Sequence, residues 1–405
     1  HNELWASLEQ RRQALPTAGT PLAIGDTIIA TTAQNVVAVD FRTGKRIWQT
    51  QPQRITEFEQ LLNAATDMNQ FDATSPLVQA FARRLWDDYL YNSVSSDGQR
   101  VFVIRDLKLP EFIDPDPFGG MGFRGGEYGD QVVANRLCAY DLVSQGKLVW
   151  EIDGAASEGE LAGAYFLGAP VIVDQKLYCL AEIKSAIHLA AIDRHTGQLE
   201  WLQQLAGLQN GIYLDPLRRL QAAMPSYDSG MLVCPTGAGV VIGINLEKLA
   251  LAWAYQYDTT NNSINQFRRE GGRVVEQHPT QWIESSAILA DGKVLLAPPE
   301  SNWLHCLDLV TGKVLWKRGR GDGIFVAGVE GDSVLIVGQQ GLTALNLKTG
   351  KPIWKEETHS LPTGSMPSGR GFFSEGKYFL PLNTAEVVAL DMTSGQIVER
   401  TQSRF

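Results

Sequence analysis

One phrase recurs seven times along the chain: an aliphatic residue, any residue, a small residue, a large apolar residue, then Asp or Asn. A Thr-Gly or Ser-Gly turn usually follows, and then a Trp. The copies run 36–48, 137–150, 189–201, 241–253, 304–316, 342–354 and 387–399. Repetition at this spacing restricts the fold to an array of equivalent units, each burying its apolar faces against its neighbours. It also means that the recurring residues are spent on architecture and say little about activity.

The copies align on Asp40, Asp141, Asp193, Asn245, Asp308, Asn346 and Asp391. Four positions earlier stand Val36, Leu137, Leu189, Val241, Leu304, Leu342 and Val387, all aliphatic. Two positions earlier stand Ala38, Ala139, Ala191, Gly243, Cys306, Ala344 and Ala389, all small. The period of two marks a β-strand, and apolar residues on both faces mark a strand covered on both sides. The small column suggests a close approach by a neighbouring sheet or a crowded inner edge.

A turn follows each strand. The Asp or Asn bonds its own backbone two residues on, and Gly44, Gly197, Gly312, Gly350 or Gly395 takes the left-handed conformation. A three-residue loop with a bulge is expected. The second copy has one extra residue, so its glycine is Gly146, and the fourth copy lacks the glycine and is expected to turn more loosely. The outgoing strand carries Trp48, Trp150, Trp201, Trp253, Trp316 or Trp354, with Glu399 in register in the seventh copy. A Trp recurring at one place reads as a packing anchor between units.

Upstream strands are expected near 27–30, 101–104, 176–180, 231–234, 293–297, 333–337 and 377–380, many after an Asp-Gly, Gly-Asp or Glu-Gly turn. Each unit is therefore a short antiparallel meander of four strands, and radial repetition of such sheets is a β-propeller. The expected class is all-β, with seven four-stranded antiparallel blades, or eight if flanking sequence supplies another. Blades of about 40–45 residues leave room within one domain, 1–405, for insertions at about 52–94, 107–134, 206–224 and 259–283. The chain begins at His1 rather than Met, so it reads as a domain excised from a longer chain.

The first insertion changes to helical spacing. Phe58, Leu61, Leu62 and Ala65 form one stripe, and Leu77, Val78, Phe81, Leu85 and Tyr89 form another after the Ser75-Pro76 start signal. Two helices bracing the blades are expected, with Phe81 and Tyr89 as candidate partner contacts. The second insertion is glycine-dense and holds Phe118, Phe123 and Tyr128, candidate aromatic anchors on a loop. It lacks the Gly-Lys-Ser/Thr ending of a phosphate loop. The third, at 215–220, reads as a short capped helix, and the fourth as a polar loop with Arg268, Arg269 and Arg273.

The net charge of −10 and the absence of a basic stripe argue against nucleic-acid binding, and no apolar run is long enough to span a membrane. Cys138, Cys179, Cys234 and Cys306 all fall in expected strands and read as small buried hydrophobes. The six histidines are scattered, with His188 and His305 beside repeat strands. Asp114 and Asp116 are separated by a proline and lack later ligands for calcium. Arg320-Gly321-Asp322 is a chance tripeptide between two blades.

The phrase Ala-x-Asp-x-x-Thr-Gly-Lys-x-x-Trp, clearest at 36–48 and 304–316, resembles the repeat of the pyrroloquinoline quinone (PQQ)-like β-propellers. That superfamily includes quinoprotein alcohol dehydrogenases and the outer-membrane assembly lipoprotein BamB. The layout with its insertions also resembles large PQQ-like repeat proteins of planctomycete bacteria. In the dehydrogenases the resemblance implies an adjacent Cys-Cys pair over the cofactor, a Trp floor, calcium ligands and an Asp base. No Cys-Cys occurs here, and none of those ligands maps onto a position of this chain. The resulting expectation is a non-catalytic protein-interaction scaffold in the bacterial periplasm or cell envelope. No cofactor is expected, although PQQ and calcium stay open, and the protein partner is unidentified. Alternatives are a PQQ-dependent or degenerate quinoprotein dehydrogenase and a carbohydrate- or small-ligand-binding propeller.

Overall fold

The computed structural model describes residues 17–32, 34–51, 84–105, 134–212, 215–259, 267–270, 273–276, 281–283 and 285–402. Apart from one two-stranded hairpin, they form seven antiparallel sheets whose strands follow one another in chain order. The blades span 22–49, 94–153, 165–207, 226–256, 288–319, 323–360 and 372–402. Each is a four-stranded meander, and blade 3 adds the short strand Tyr165–Phe166 against its second strand. The fold is a seven-bladed β-propeller. By compactness the chain divides into two units, Ala18–Ala222 with blades 1–3 and Ala223–Phe405 with blades 4–7.

Strand alternation sends successive side chains to opposite neighbours. In blade 5, Val294, Leu296, Leu307 and Leu309 pack with Met231, Val233 and Trp253 of blade 4. Leu295, Leu304 and Cys306, one residue out of step, pack with Val334, Ile336 and Leu345 of blade 6. In the first unit, Ile29, Val36 and Trp48 of blade 1 meet Val101, Val103 and Cys138 of blade 2. Each fully buried aliphatic side chain contributes about 1.5–3 kcal/mol.

The ladder adds a second neighbour to the small column. Ala38, Ala139, Ala191, Gly243 and Cys306 lie directly opposite Trp48, Trp150, Trp201, Trp253 and Trp316 on the fourth strand of the same blade. The register then shifts by one residue. At Gly243 the indole lies across its own sheet: a Cβ there would run into the Trp253 ring.

The turns also differ from expectation. Four residues, not three, separate Asp40 from Lys45, because the Gly44 N–H donates to the Asp40 carbonyl at 2.9 Å. The same bond recurs at Gly197, Gly312, Gly350 and Gly395. The Asp or Asn side chain then ties the loop: Asp308 Oδ1 accepts the Thr311 N–H at 2.8 Å and its hydroxyl at 2.7 Å. The fourth copy keeps only part of this network, in line with a looser turn. Asn245 Oδ1 accepts the Lys248 N–H at 2.9 Å, and Leu249 takes the glycine's place at φ 47°. In blade 6 the strand expected through Trp354 does not form. Only a bridge between Leu345 and Pro352 remains, with the Ile353 N–H donating to the Ala344 carbonyl at 3.0 Å, and the fourth strand is His359–Ser360.

Among the insertions, Arg84–Trp86 is helical, while 52–83 and 106–133 lie outside the described residues. Pro216–Leu220 is a short helix with Asp215 at its cap: Asp215 Oδ1 accepts the Arg218 N–H at 3.0 Å. In place of a loop throughout, the fourth insertion contains a hairpin, Phe267–Glu270 with Arg273–Glu276.

Candidate functional site

The repeated residues converge on one device. The Trp that ends one blade seats on the turn that opens the fourth strand of the next. The Trp253, Trp316 and Trp354 indole N–H groups donate to the carbonyls of Leu309, Leu347 and Met392 at 2.8, 2.9 and 3.0 Å. Trp150 does the same to Arg194 at 3.2 Å. Each acceptor is the residue directly after the turn's Asp or Asn. The indole face covers the turn glycine. A Cβ on Gly197, Gly312, Gly350 or Gly395 would lie 2.6–2.7 Å from an indole carbon, and Trp48 crowds Gly146 in the same way. These glycines carry φ of 67–75°, so both backbone and space call for glycine. Hydrogen bonds from Thr43, Thr196, Thr311 and Ser394 hold the half-buried Asp40, Asp193, Asp308 and Asp391 carboxyls below the usual range. For Asp141 the Ser144 N–H is the main cause.

Trp201 leans on Tyr178 of its own blade, ring centroids 5.9 Å apart. Glu399, in the Trp position of blade 7, pairs with Lys377. Of the candidate partner contacts, Tyr89 is half-buried, and Phe81, Phe118, Phe123 and Tyr128 lie outside the described residues. All four cysteines are free thiols and buried. Burial pushes Cys138 up to about 11 and Cys179 and Cys306 up to about 12.

Two buried polar clusters escape notice in the sequence. In blade 3, Glu182 Oε2 accepts the Arg218 Nε–H at 3.1 Å, and its Oε1 accepts the Ile212 N–H at 2.6 Å. Arg218 also pairs with Asp215 at 2.7 Å, so the short helix is pinned to the sheet. Burial pushes the Glu182 carboxyl up, against the pull of Arg218. In the second unit, His305 sits at the centre of a ring of polar groups. Tyr255 Oη lies 3.1 Å from Nδ1 and Ser301 Oγ 3.3 Å from Nε2. Tyr257 donates to Glu300 at 2.6 Å, and Lys317 lies 5.8 Å above the Tyr255 ring.

Ser301 with His305 has the outline of a nucleophile and base, but the surroundings oppose that chemistry. Ser301 is 0% exposed, so no substrate atom reaches its oxygen. A tyrosine hydroxyl stands where a carboxylate would stabilise an imidazolium. Burial, with Lys317 adding to it, pushes His305 down to about 4. His305 itself is a neutral, hydrogen-bonded side chain buried between blades 4 and 5. A histidine in the middle of an apolar strand was the available sequence signal. Elsewhere, Phe372 is exposed and stacks on Phe379 at 5.1 Å, an aromatic platform on blade 7.

A family model described as outer membrane protein assembly factor BamB matches residues 2–103, 119–279 and 260–404. The chain belongs to that family. Comparison with curated proteins returns no match. Among solved structures, this BamB-family chain is similar to quinohemoprotein alcohol dehydrogenase from Comamonas testosteroni, at 13% identity and TM-score 0.52 over 98% of this chain and 68% of that one. It is likewise similar to quinohemoprotein alcohol dehydrogenase ADHIIG from Pseudomonas putida HK5, at 14% identity and TM-score 0.53 over 98% and 71%. BamB from Moraxella catarrhalis aligns at 15% identity and TM-score 0.44 over 66% of this chain and 70% of that one. Identities this low bear on the fold alone.

The dehydrogenase likeness raises the question of a quinone and its metal. Among the described residues, no three His, Cys, Asp or Glu side chains are grouped to hold a metal ion. The four cysteines sit in four different blades. No helix among the described residues is long and apolar enough to cross a membrane.

Proposed function

We propose that this BamB-family propeller is a non-catalytic scaffold that binds other proteins in the bacterial cell envelope. The observation that carries the reading is how the repeat residues are spent. In five of the seven copies the turn glycine receives an indole from the preceding blade, and the Asp and Thr side chains are consumed in holding that turn. The conspicuous residues build rigidity and leave recognition to the segments between strands, where binding surfaces form on repeat folds. The family match supports an envelope setting and protein partners.

Two measurements test this. The first titrates the purified chain with PQQ and calcium while following Trp fluorescence and dye-linked alcohol oxidation. No saturable binding or turnover is expected; saturable binding with turnover overturns the scaffold reading in favour of a quinoprotein dehydrogenase. The second places photo-cross-linkers along the inter-strand loops in intact cells. Discrete adducts with envelope proteins are expected from a few neighbouring positions, and uniform, weak labelling counts against the proposal.

A further inference from the structure

We propose that the cleft between blades 5 and 6 binds a small neutral molecule, mostly apolar, that carries one carbonyl oxygen. The site lies within the second unit and does not rest on the scaffold reading.

Residues 281–283 build it. The Ile283 N–H donates to the Ile324 carbonyl at 3.0 Å, which fastens this segment to the first strand of blade 6. Trp282 is thereby carried into the seam, where it is 0% exposed. Its Cη2 and Cζ3 pack on Gly323, each 3.0 Å from a Cβ placed there. The pyrrole edge, which holds the N–H, is the opposite side of the ring. Beside the indole lies a cleft of about 240 Å³, counted out to its open mouth. Ile288, Leu295 and Ala297 of blade 5, Phe325 and Val326 of blade 6, and Ser286 line it with Trp282.

Two polar atoms of that wall lack a partner. Trp282 Nε1 and Ser286 Oγ are both buried, and neither makes a hydrogen bond. The indoles of Trp150, Trp253, Trp316 and Trp354 each donate to a carbonyl. A buried donor left unmet destabilises the fold, so such groups are almost always satisfied. An oxygen from outside the chain is the partner that fits.

The wall also selects what carries that oxygen. An indole N–H only donates, and a serine hydroxyl can donate to the same atom, so the pair suits an acceptor such as a carbonyl. Among the described residues no charged side chain lines the cleft, and Arg370, 5.3 Å over the Phe325 ring, stands outside the lining. A charged ligand would lose its hydration without compensation. The rest of the wall is apolar. Drug-sized ligands occupy about 300–1,000 Å³, so this cleft suits a molecule of fewer than about ten heavy atoms.

The probe is cyclohexanone, titrated into protein labelled with ¹⁵N at tryptophan. The Trp282 indole signal is identified by its loss in Trp282→Phe. That signal alone should shift, saturating below about 10 mM ketone. Ser286→Ala should weaken binding about fivefold. Ala297→Leu, which fills the cleft, should abolish it while the other indole signals keep their places. Should these variants fold poorly, a crystal of the unaltered protein soaked in the ketone gives the answer: the ketone oxygen should lie within about 3.2 Å of Trp282 Nε1. No saturation by about 10 mM, with a water molecule alone meeting the N–H, overturns the proposal. So does equal movement of several indole signals, or binding that Ser286→Ala leaves unchanged.

Discussion

Gly350 and Leu249 hold the same place in two copies of one turn, four residues beyond Asn346 and Asn245. Both adopt positive φ, 67° and 47°. Glycine does so without penalty, and a residue with a Cβ loses about 1–2 kcal/mol. Leu249→Gly should therefore stabilise the protein by about 1 kcal/mol, read as a rise in the urea midpoint; an unchanged midpoint contradicts the strain argument. The converse change separates backbone strain from lost space. Gly376 has φ 72° with nothing within 4 Å, so Gly376→Ala should cost about 1 kcal/mol. Gly350→Ala adds a clash with Trp316 and should cost about 3 kcal/mol or more. Equal losses in the two variants, measured by denaturant unfolding, would rule out the indole seat as the reason for the repeat glycine.

At the scale of elements, the short helix Pro216–Leu220 has too few residues to persist alone. It is held by the buried ion pair between Arg218 and Glu182, whose side chains are 5% and 4% exposed. Breaking such a pair costs more than the pair contributes, because one charge stays buried. Arg218→Met should destabilise the protein by about 3–5 kcal/mol. The double variant Arg218→Met, Glu182→Leu should recover most of that loss. A double-mutant cycle by urea unfolding checks both, and a double variant no better than the single one defeats the argument. This link was not legible in the sequence. Its partners lie 36 residues apart on a strand and an insertion, and only a lone Glu within the apolar run 177–183 hinted at it.

At the scale of the molecule, acid stability should fall in two stages. His305 has an ordinary value of 6.5 and is pushed down to about 4 in the fold. The unfolded chain therefore takes up that proton first, and stability declines as pH drops from about 6.5 to 4. The full effect is about 3 kcal/mol. Asp258 opposes the shift, and Lys317 strengthens it. The turn carboxyls are lowered from 3.8, so their contribution is complete above that value and disappears as pH falls further. Urea midpoints across pH should show both stages, and His305→Gln should remove the first. An unaltered first stage in that variant assigns it elsewhere.

The propeller itself was readable because seven copies repeat the same strand and six of them the Trp, so local exceptions such as Pro352 do not obscure the pattern. The indole seat was only half readable. The Trp column announced an anchor, but the partner glycine and carbonyl belong to the next copy, and the small column stands opposite its own blade's Trp. The His305 cluster depended on Tyr255, 50 residues away, and no periodicity reports such a distance.

In every observed seat with an indole N–H bond, the tryptophan precedes its acceptor in the chain, by 31 to 56 residues. During synthesis, a blade whose strands have all emerged from the ribosome still lacks its seal until the following turn arrives. At about 5–20 residues per second, that interval is roughly 2–11 s per seam. The nascent protein therefore always trails one unfinished face, the indole of its latest blade exposed to whatever waits at the exit tunnel.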